Sequence, residues 1–276
     1  MTFKDKLRAS EDAVQSLLCL GLDPEPDLLP VKLERSPAGV ASFIREIVAA
    51  TSDLVSSYKL NLAFFERWGR EGDALLDQAM AALTPGKPVI FDAKRGDLAS
   101  TAQAYAHGMF NAWGADAVTV HPYLGYDSVA PFLAHKEKET FVLCRTSNPG
   151  ANEFQHLRVD GELLYRHIAR SAVRWDHYGN LGFVVGATAP AELRDVRQIG
   201  GDRLLLVPGI GAQGGDLATA VRASIRADGR GAIIPISRGI LFASSGDDFA
   251  EAARKAASFY RDAINAVRAE PVAAKA

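Results

Sequence analysis

The sequence predicts a closed (β/α)8 barrel, in which eight parallel strands alternate with helices and a short amino-terminal helix caps one end. Short apolar runs rich in β-branched residues alternate with longer segments of helical spacing. Six of these runs are continuously apolar, which is typical of strands buried on both faces of a parallel sheet. The first and last runs end next to Asp23 and Ser237, so the seven intervals between them average about 31 residues, the size of one βαβ unit. An open, doubly wound sheet is the alternative, but eight evenly spaced strands favour closure.

Each predicted element has a definite place in the chain. The strands are expected at SLLCLGL (16–22), LVSSYKL (54–60), KPVIFDA (87–93), DAVTVH (116–121), TFVLCR (140–145), LGFVVG (181–186), RLLLVP (203–208) and GAIIPI (231–236). After a capping helix at roughly 3–14, the clearest helices are at 37–53, 68–83, 97–113, 161–177, 215–226 and 247–268. No linker divides the chain, so one domain is predicted for 1–276, with the cap over about 1–15 and a frayed tail over about 269–276.

The composition excludes several classes of protein. With 31 basic and 33 acidic side chains and a net charge of −2, the chain has no basic surplus for binding a nucleic-acid backbone. No apolar stretch approaches the roughly 18 residues of a membrane span, and the charged start lacks the apolar core of a signal peptide. Cys19 and Cys144 lie in apolar runs and are predicted to be small buried side chains in a reducing compartment. We therefore expect a cytoplasmic protein that binds neither nucleic acid nor membrane.

Charged residues cluster where the third predicted strand ends, in the segment FDAKRGD (91–97). Active sites of (β/α)8 barrels lie at the carboxyl ends of the strands. Asp92 and Lys94 are two residues apart, so both side chains should face the barrel mouth. Lys59 comes from the neighbouring strand, and Asp97 follows Lys94 closely in the chain. One Asp–Lys pair could be a structural salt bridge, but four charges of alternating sign exceed what a structural clamp requires.

The position of Lys94 between carboxylates indicates its chemistry. Neighbouring carboxylates favour the charged form of a lysine and raise its pKa. A Schiff-base nucleophile needs a neutral amine, so this arrangement argues against one. A permanent ammonium can instead stabilise developing negative charge and donate a proton. The cluster therefore predicts acid and electrostatic catalysis.

A phosphate site is predicted after the seventh and eighth strands. The loop PGIGAQGG (208–215) contains four glycines, whose backbone N–H groups can turn toward an anion ahead of a helix. The segment SRGI (237–240) adds a guanidinium that can hold phosphate through two hydrogen bonds. These loops are the usual phosphate site of this fold, and such a loop could also close as a lid. The predicted contacts are Gly211, Gln213, Arg238 and Gly239.

Together these motifs resemble the orotidine 5′-phosphate decarboxylase family over nearly the whole chain. The most specific element is DAKRGD (92–97) followed by Thr101, which is similar to the family pattern D-x-K-x-x-D…T. The other matching motifs keep the family's order and are GLDP (21–24), YKLN (58–61), FFE (64–66), VPGIGAQGG (207–215) and SRGI (237–240). The likeness is greatest to the longer bacterial, type 2 branch. Two segments have no assigned role, 24–36 and the polar loop at about 145–160.

The resemblance implies the catalytic residues and a dimer. Lys94 would protonate C6 of the pyrimidine, within a charged tetrad that also contains Lys59, Asp92 and Asp97. Asp97 would reach across a homodimer interface into the partner's site, and Thr101 would accompany it and touch the ribose of the partner's ligand. Members of this family need neither metal nor organic cofactor, so none is expected. The implied reaction converts orotidine 5′-phosphate (OMP) to UMP and CO2 in pyrimidine synthesis.

The remaining implied contacts hold the substrate. Asp23 and Lys59 would bind ribose hydroxyls. Ser147, or alternatively Thr146, would meet the amide edge of the pyrimidine. The phosphate would be held by Gln213 and Arg238.

Three other functions stay open at this point. A Mg2+-dependent sugar-phosphate decarboxylase of the same superfamily shares D-x-K-x-x-D, but its metal requires a carboxylate on strand 2, where this chain has Lys59. A non-catalytic nucleotide-binding barrel is a second alternative, and retention of all four tetrad charges argues against it. A Schiff-base aldolase is the third, and borohydride trapping would test it.

Overall fold

The protein, described by a computed structural model over residues 1–211 and 215–270, contains a closed barrel of eight parallel strands. The barrel strands are β1 (Leu18–Leu22), β2 (Ser57–Asn61), β3 (Val89–Arg95), β4 (Ala117–Val120), β5 (Glu139–Arg145), β8 (Leu181–Val185), β9 (Leu205–Leu206) and β10 (Ala232–Ile236). Between β5 and β8, a small antiparallel hairpin is formed by β6 (Arg158–Val159) and β7 (Glu162–Leu163). Because β1 pairs with both β2 and β10, the sheet closes, and the predicted (β/α)8 barrel is confirmed.

Helices connect the strands and surround the sheet. They are α1 (Phe3–Val14), α2 (Pro37–Thr51), α3 (Ala63–Glu66), α4 (Arg70–Ala82), α5 (Ala99–His107), α6 (Tyr126–Leu133), α7 (Asn152–Gln155), α8 (Leu164–Trp175), α9 (Pro190–Gly200), α10 (Leu217–Ser224), α11 (Arg238–Leu241) and α12 (Phe249–Arg268). The start of α2 follows the sequence signal, since Ser36 Oγ accepts a hydrogen bond from Gly39 N and Pro37 is the first helical residue. In residues 1–211 and 215–270, no helix is long and apolar enough to cross a membrane.

The structure departs from the predicted elements at a few places. Helices α6 and α9 complete the alternation but were not among the clearest predicted segments, because α6 is short with Pro131 inside it and α9 carries few apolar residues. The helix expected from 161 begins at Leu164, since the preceding residues form the β6–β7 hairpin. The seventh barrel strand is only two residues long, although both of them pair with each neighbouring strand.

Helix α1 closes the amino-terminal end of the barrel, as predicted. Thr2 and Asp5 form a reciprocal capping box that fixes where the helix begins. Phe3 and Leu7 are buried and pack with residues that line the barrel interior, including Phe141, whose ring meets that of Phe3 edge to face at 6.0 Å. Burying each of these side chains contributes about 1.5–3 kcal/mol. The sealed end leaves the carboxyl-terminal end of the barrel as the open face.

Side chains inside the barrel follow the two-residue period of the strands. In β3, Ile90 belongs to the apolar interior cluster. Asp92 and Lys94, two and four residues further along the strand, therefore also face the interior, nearer the mouth. In β1 the interior-facing positions begin with Cys19, which is buried as predicted and carries a free thiol. The barrel is therefore apolar at its base and charged at its mouth.

In the segment 24–36, which had no assigned role, one arginine binds several backbone carbonyl groups. A short 3-10 turn spans Pro26–Leu28. The Arg35 guanidinium donates to the carbonyl oxygens of Leu29 and Pro30 at 2.7 and 2.8 Å and to that of Leu33 at 2.6 Å. These bonds replace the backbone pairing that regular secondary structure would supply.

Candidate active site

A cavity of about 470 Å³ opens at the carboxyl ends of the strands. Its size lies within the range of small-molecule sites. It is lined by charged residues that follow β1 or lie in β2 and β3, by apolar residues from β5, β8 and β9, and by residues of the loops after β5, β9 and β10. Seven of the predicted site residues lie on this wall: Asp23, Lys59, Asp92, Lys94, Ser147, Arg238 and Gly239.

The charged part of the cavity wall consists of Asp23, Lys59, Asp92 and Lys94 and is called the charged wall below. Lys59 is its buried centre. Its side chain is only 5% exposed, and its Nζ lies 3.4 Å from Asp23 Oδ1 and 3.3 Å from Asp92 Oδ2. Burial alone would lower the pKa of Lys59, but the carboxylates of Asp23 and Asp92 outweigh it and raise the pKa above its ordinary value. Lys59 therefore carries a fixed positive charge that holds two carboxylates in place.

Asp92 links the two lysines. Its Oδ1 lies 2.6 Å from Lys94 Nζ and accepts a hydrogen bond from Thr119 Oγ1 at 2.9 Å. Burial would raise the pKa of Asp92, but the ammonium groups of Lys59 and Lys94 prevail and lower it to about 2. The carboxylate is thus ionised at any physiological pH. The Lys94 side chain is 49% exposed, so its ammonium is held at one side and open to the cavity at the other.

The backbone of Lys94 adopts a left-handed conformation, with φ of 47°. A non-glycine residue in this region costs on the order of 1–3 kcal/mol and persists only where its surroundings enforce it. Here Lys94 N donates to Thr119 Oγ1 at 3.0 Å, and the register between β3 and β4 shifts between Phe91 and Arg95. The strained turn at the end of β3 is what brings the Lys94 ammonium back onto Asp92.

Asp23 connects the charged wall to the end of β10, the last strand of the barrel. Ser237, at the end of β10, donates to Asp23 Oδ2 at 2.5 Å. The contact requires a glycine at position 21, because a Cβ there would collide with Ser237 Oγ. The polar chain therefore runs from Ser237 through Asp23, Lys59 and Asp92 to Lys94.

The described start of the glycine-rich loop and Arg238 both lie on the cavity wall. The cavity wall includes Gly209, Ile210, Arg238 and Gly239, with α11 beginning at Arg238. Gly211, with φ of 73°, is not on this wall. The predicted contact Gln213 falls outside the described residues. An exposed guanidinium beside turned backbone is a suitable anion-binding arrangement.

Asp97 and Thr101 do not line the cavity of their own chain. Asp97 Oδ1 accepts from Leu98 N at 2.7 Å, and Thr101 is exposed on α5. Within one chain the charged cluster is therefore Asp23, Lys59, Asp92 and Lys94. The resemblance assigns Asp97 to the site of a partner subunit, and that assignment stays a prediction.

The loop after β5 brings Thr146, Ser147 and Asn148 to the cavity. Ser147 packs tightly against Gly186, where an added Cβ would lie 2.9 Å from both Ser147 N and Cβ. Thr146 is bound to Gln155 and Asn148 through its side chain. Both candidates for the pyrimidine contact are thus at the site, in different surroundings.

Sequence reasoning missed Thr119 and gave Ser237 no role. Thr119 is the single polar residue of the strand AVTV and is fully buried. A hydroxyl in an otherwise apolar strand beside a charged one is a usable signal, because buried hydroxyls need partners. Its partners, Asp92 and Lys94, could not be deduced without the register of β3 against β4.

The site has the means for proton transfer and charge stabilisation. It offers an ionised carboxylate between two ammonium groups, an apolar floor and an exposed guanidinium, that of Arg238, at its rim. Among residues 1–211 and 215–270, no group of three or more His, Cys, Asp or Glu side chains is arranged to hold a metal ion. The fold and the site together define a (β/α)8 barrel whose mouth holds a lysine–carboxylate cluster, an arrangement typical of an enzyme.

Comparison with known proteins identifies the family. The model of the "Orotidine 5′-phosphate decarboxylase / HUMPS family" matches residues 16–256. The chain is 50% identical over 268 residues to an orotidine 5′-phosphate decarboxylase of Roseiflexus sp. strain RS-1, with 96% of this chain and 98% of that protein covered. It is 51% identical over 271 residues to the enzyme of Azoarcus sp. strain BH72, with coverage of 97% and 100%. The solved OMP decarboxylase of Leishmania donovani superposes with a TM-score of 0.86 at 41% identity, covering 97% of this chain and 99% of that one. The chain belongs to the orotidine 5′-phosphate decarboxylase / HUMPS family.

Proposed function

We propose that this chain converts OMP to UMP and CO2, with Lys94 as the proton donor and without a metal or organic cofactor. The observation that carries the proposal is the Lys59–Asp92–Lys94 chain of charges, with ion-pair distances of 3.3 and 2.6 Å, in a cavity with an anion-binding rim. Full-length relatives that are about half identical carry the same activity in their names. This reaction belongs to pyrimidine synthesis. We further propose that the protein is cytoplasmic and that the chain forms a single barrel domain.

The chemical step needs a cation beside C6. When the bond between C6 and the carboxylate carbon breaks, its electron pair stays on C6 in the ring plane and CO2 leaves. That pair lies outside the π system, so the ring cannot delocalise it. The Lys94 ammonium stabilises the developing charge and transfers a proton from Nζ to C6, and the amine regains a proton from water. Asp92 and Lys59 fix the position of Lys94 before the reaction begins.

The apolar part of the cavity strengthens this interaction. Leu143, Val184 and Leu206 line the wall. Between unit charges about 4 Å apart, attraction rises from about 1 kcal/mol in water to about 4 kcal/mol at an effective dielectric constant of 20. Contacts to the phosphate and ribose, which lie away from C6, supply the binding energy that places the carboxylate of OMP against the like-charged Asp92.

The sugar-phosphate decarboxylase alternative is less well supported. Its Mg2+ needs a carboxylate on the second strand. Lys59 occupies that place and is paired with two carboxylates, so a cation there would be repelled. The named full-length relatives above are also OMP decarboxylases.

Turnover of OMP in EDTA tests the proposal. We expect conversion of OMP to UMP, which is monitored by ultraviolet absorbance, with one CO2 released per OMP consumed. UMP binding without turnover would instead support the non-catalytic nucleotide-binding barrel. Turnover of a sugar phosphate that depends on added Mg2+, without turnover of OMP, would overturn the proposal in favour of the alternative decarboxylase.

Arg238 is proposed to hold the phosphate. Replacing Arg238 by Ala should raise KM for OMP about 10- to 100-fold, because a hydrogen bond to a charged group contributes about 1.5–3 kcal/mol. Steady-state kinetics and UMP titration measure the change. The matched control is Arg254→Ala on α12, which removes a surface arginine that pairs with Asp53. Equal KM values for wild type and Arg238→Ala would contradict the assignment.

We also propose a homodimer in which Asp97 and Thr101 serve the partner's site. Asp97 lies at the mouth of the barrel but outside the cavity of its own chain. Nearby loops after β3 and β4 expose large apolar side chains, with Leu98 55%, Tyr123 89% and Tyr126 42% exposed. Large apolar side chains exposed beside the mouth are suited to contact with a second copy of the chain.

Mixed dimers test whether Asp97 acts in trans. Lys94→Ala and Asp97→Ala chains should each be nearly inactive, but co-expressed they should recover about one quarter of wild-type activity. Half of randomly formed dimers are mixed, and each mixed dimer contains one intact site. Co-expressed Lys94→Ala and Asp92→Asn chains are the matched control, because both residues serve the same site and no intact site can form. Absence of recovery in the first pair would exclude the trans arrangement.

A further inference from the structure

The polar loop that follows β5 had no assigned role, yet it encloses a buried arginine. Arg145 ends β5 and is 8% exposed. Its Nη1 donates to Thr146 O at 2.8 Å and to Gln155 Oε1 at 3.2 Å, and its Nη2 donates to Asn152 Oδ1 at 2.8 Å. Its Nε lies 3.7 Å from Glu192 Oε1. A charge this well enclosed by its own loop specifies the shape of the loop.

Gln155 completes the enclosure from the other side of Thr146. Its Oε1 accepts from Thr146 N at 2.9 Å, and its Nε2 donates to Thr146 Oγ1 at 2.8 Å. Asn152 and Gln155 are three residues apart in α7, so both side chains lie on one face of that short helix, toward Arg145. One amide side chain thus binds both the backbone and the hydroxyl of Thr146.

These bonds leave Thr146 little capacity for a ligand. Its N–H is bound by Gln155, its carbonyl oxygen by Arg145, and its hydroxyl both accepts from Gln155 and donates to Asn148 at 2.6 Å. Ser147, the next residue, lies on the cavity wall against Gly186. The bonds from Arg145 and Gln155 to Thr146, which we call the frame, therefore fix the backbone just before Ser147. The close contact with Gly186 fixes Ser147 on the side away from the cavity.

We propose that Gln155, held by Arg145, is a positioning residue for recognition of the pyrimidine. It orients Thr146 so that Ser147 meets the amide edge of the uracil or orotate ring, and the loop carrying α7 and the β6–β7 hairpin serves to support this frame. Gln155 itself is absent from the cavity wall and acts through Ser147. The inference rests on the proposed function, because it takes a uridine nucleotide as the ligand.

Binding measurements separate recognition of the base from recognition of the sugar phosphate. Gln155→Ala should weaken UMP binding about 10-fold or more, since it leaves the N–H of Thr146 without its partner. Binding of ribose 5-phosphate, which has no base, should change less than about twofold. The preference for UMP over CMP should fall by the same factor as the UMP affinity. KM for OMP should rise with a smaller change in kcat.

Matched variants distinguish positioning from general damage to the fold. Gln155→Glu keeps the oxygen that accepts from Thr146 N and from Arg145 Nη1 but loses the Nε2 group that donates to the Thr146 hydroxyl, so it should restore part of the UMP affinity. Glu153→Ala, on the exposed side of the same short helix, should leave both affinities unchanged. Ser147→Ala combined with Gln155→Ala should be no weaker than Ser147→Ala alone, because a residue that acts through Ser147 has nothing further to lose.

Equal losses of UMP and ribose 5-phosphate binding in Gln155→Ala, or additive losses in the double variant, would overturn the positioning role. Where Gln155→Ala does not fold, Gln155→Glu is compared with Ser147→Ala, and a loss of ribose 5-phosphate affinity in Gln155→Glu as large as its loss of UMP affinity would overturn the positioning role. A wild-type protein that turns over OMP while Gln155→Ala discriminates normally would refute this inference alone. A wild-type protein that binds no UMP would refute the proposed function with it.

Discussion

Lys94→Ala is expected to lose turnover almost completely, with kcat reduced at least about 10⁴-fold, while the barrel still folds and UMP still binds. The substitution removes both the proton donor and the cation beside C6, and each of these contributes about 10²–10³-fold or more in other enzymes. Arg238 on the cavity wall and the Asp23–Lys59 pair remain in place. Single-turnover kinetics, UMP titration and thermal unfolding would measure the three quantities.

The control for this variant is Lys136→Ala, because Lys136 is an exposed lysine that lies over the Tyr178 ring, away from the cavity. It should turn over OMP at the wild-type rate. Both proteins are best made in a host that lacks its own OMP decarboxylase. Normal turnover by Lys94→Ala would exclude Lys94 as the proton donor and, with it, the mechanism.

Asp92→Asn is expected to reduce kcat about 10²–10³-fold with a smaller effect on UMP binding. The amide keeps the shape of the side chain but removes the negative charge that lies between Lys59 and Lys94. Two ammonium groups would then face each other with only Asp23 to compensate, and Lys94 would lose its ion-pair partner at 2.6 Å. The kcat and the UMP affinity measured together separate loss of catalysis from loss of binding.

The same variant tests the electrostatics of the cluster through the pH dependence of unfolding. Because the pKa of Asp92 is lowered to about 2, its ionised form stabilises the folded protein above pH 4, and this contribution is lost as pH falls toward 2. A shift of this size corresponds to on the order of 2 kcal/mol. Denaturant unfolding of wild type and Asp92→Asn should therefore differ most at neutral pH and converge below pH 3. A constant difference across this range would mean that the Asp92 charge does not stabilise the fold.

Much of the fold and the charged wall could be predicted because both depend on local periodicity. Uninterrupted apolar runs identified the barrel strands, and the two-residue period of β3 placed Asp92 and Lys94 on one face. Lys59 followed from the adjacency of sequential strands in a parallel barrel. These inferences need no knowledge of how distant segments pack.

The remaining features depend on contacts between distant segments. Thr119 reaches Asp92 only because of the particular register of β4 against β3, including its shift. The bonds from Gln155 to Thr146 depend on how a loop folds back on its own strand. The absence of Asp97 from its own chain's cavity likewise reflects the path of the backbone after β3. Residue types alone do not determine these paths.

The left-handed backbone of Lys94 has a consequence for how this sequence evolves. Glycine would adopt the same φ of 47° without strain, so the lysine side chain is kept at a local cost to the fold. Random drift under selection for foldability alone would favour losing the lysine, whereas selection for growth without external pyrimidines would oppose it. A copy of this barrel released from metabolic demand is therefore expected to lose Lys94 early and to become more stable as it does so.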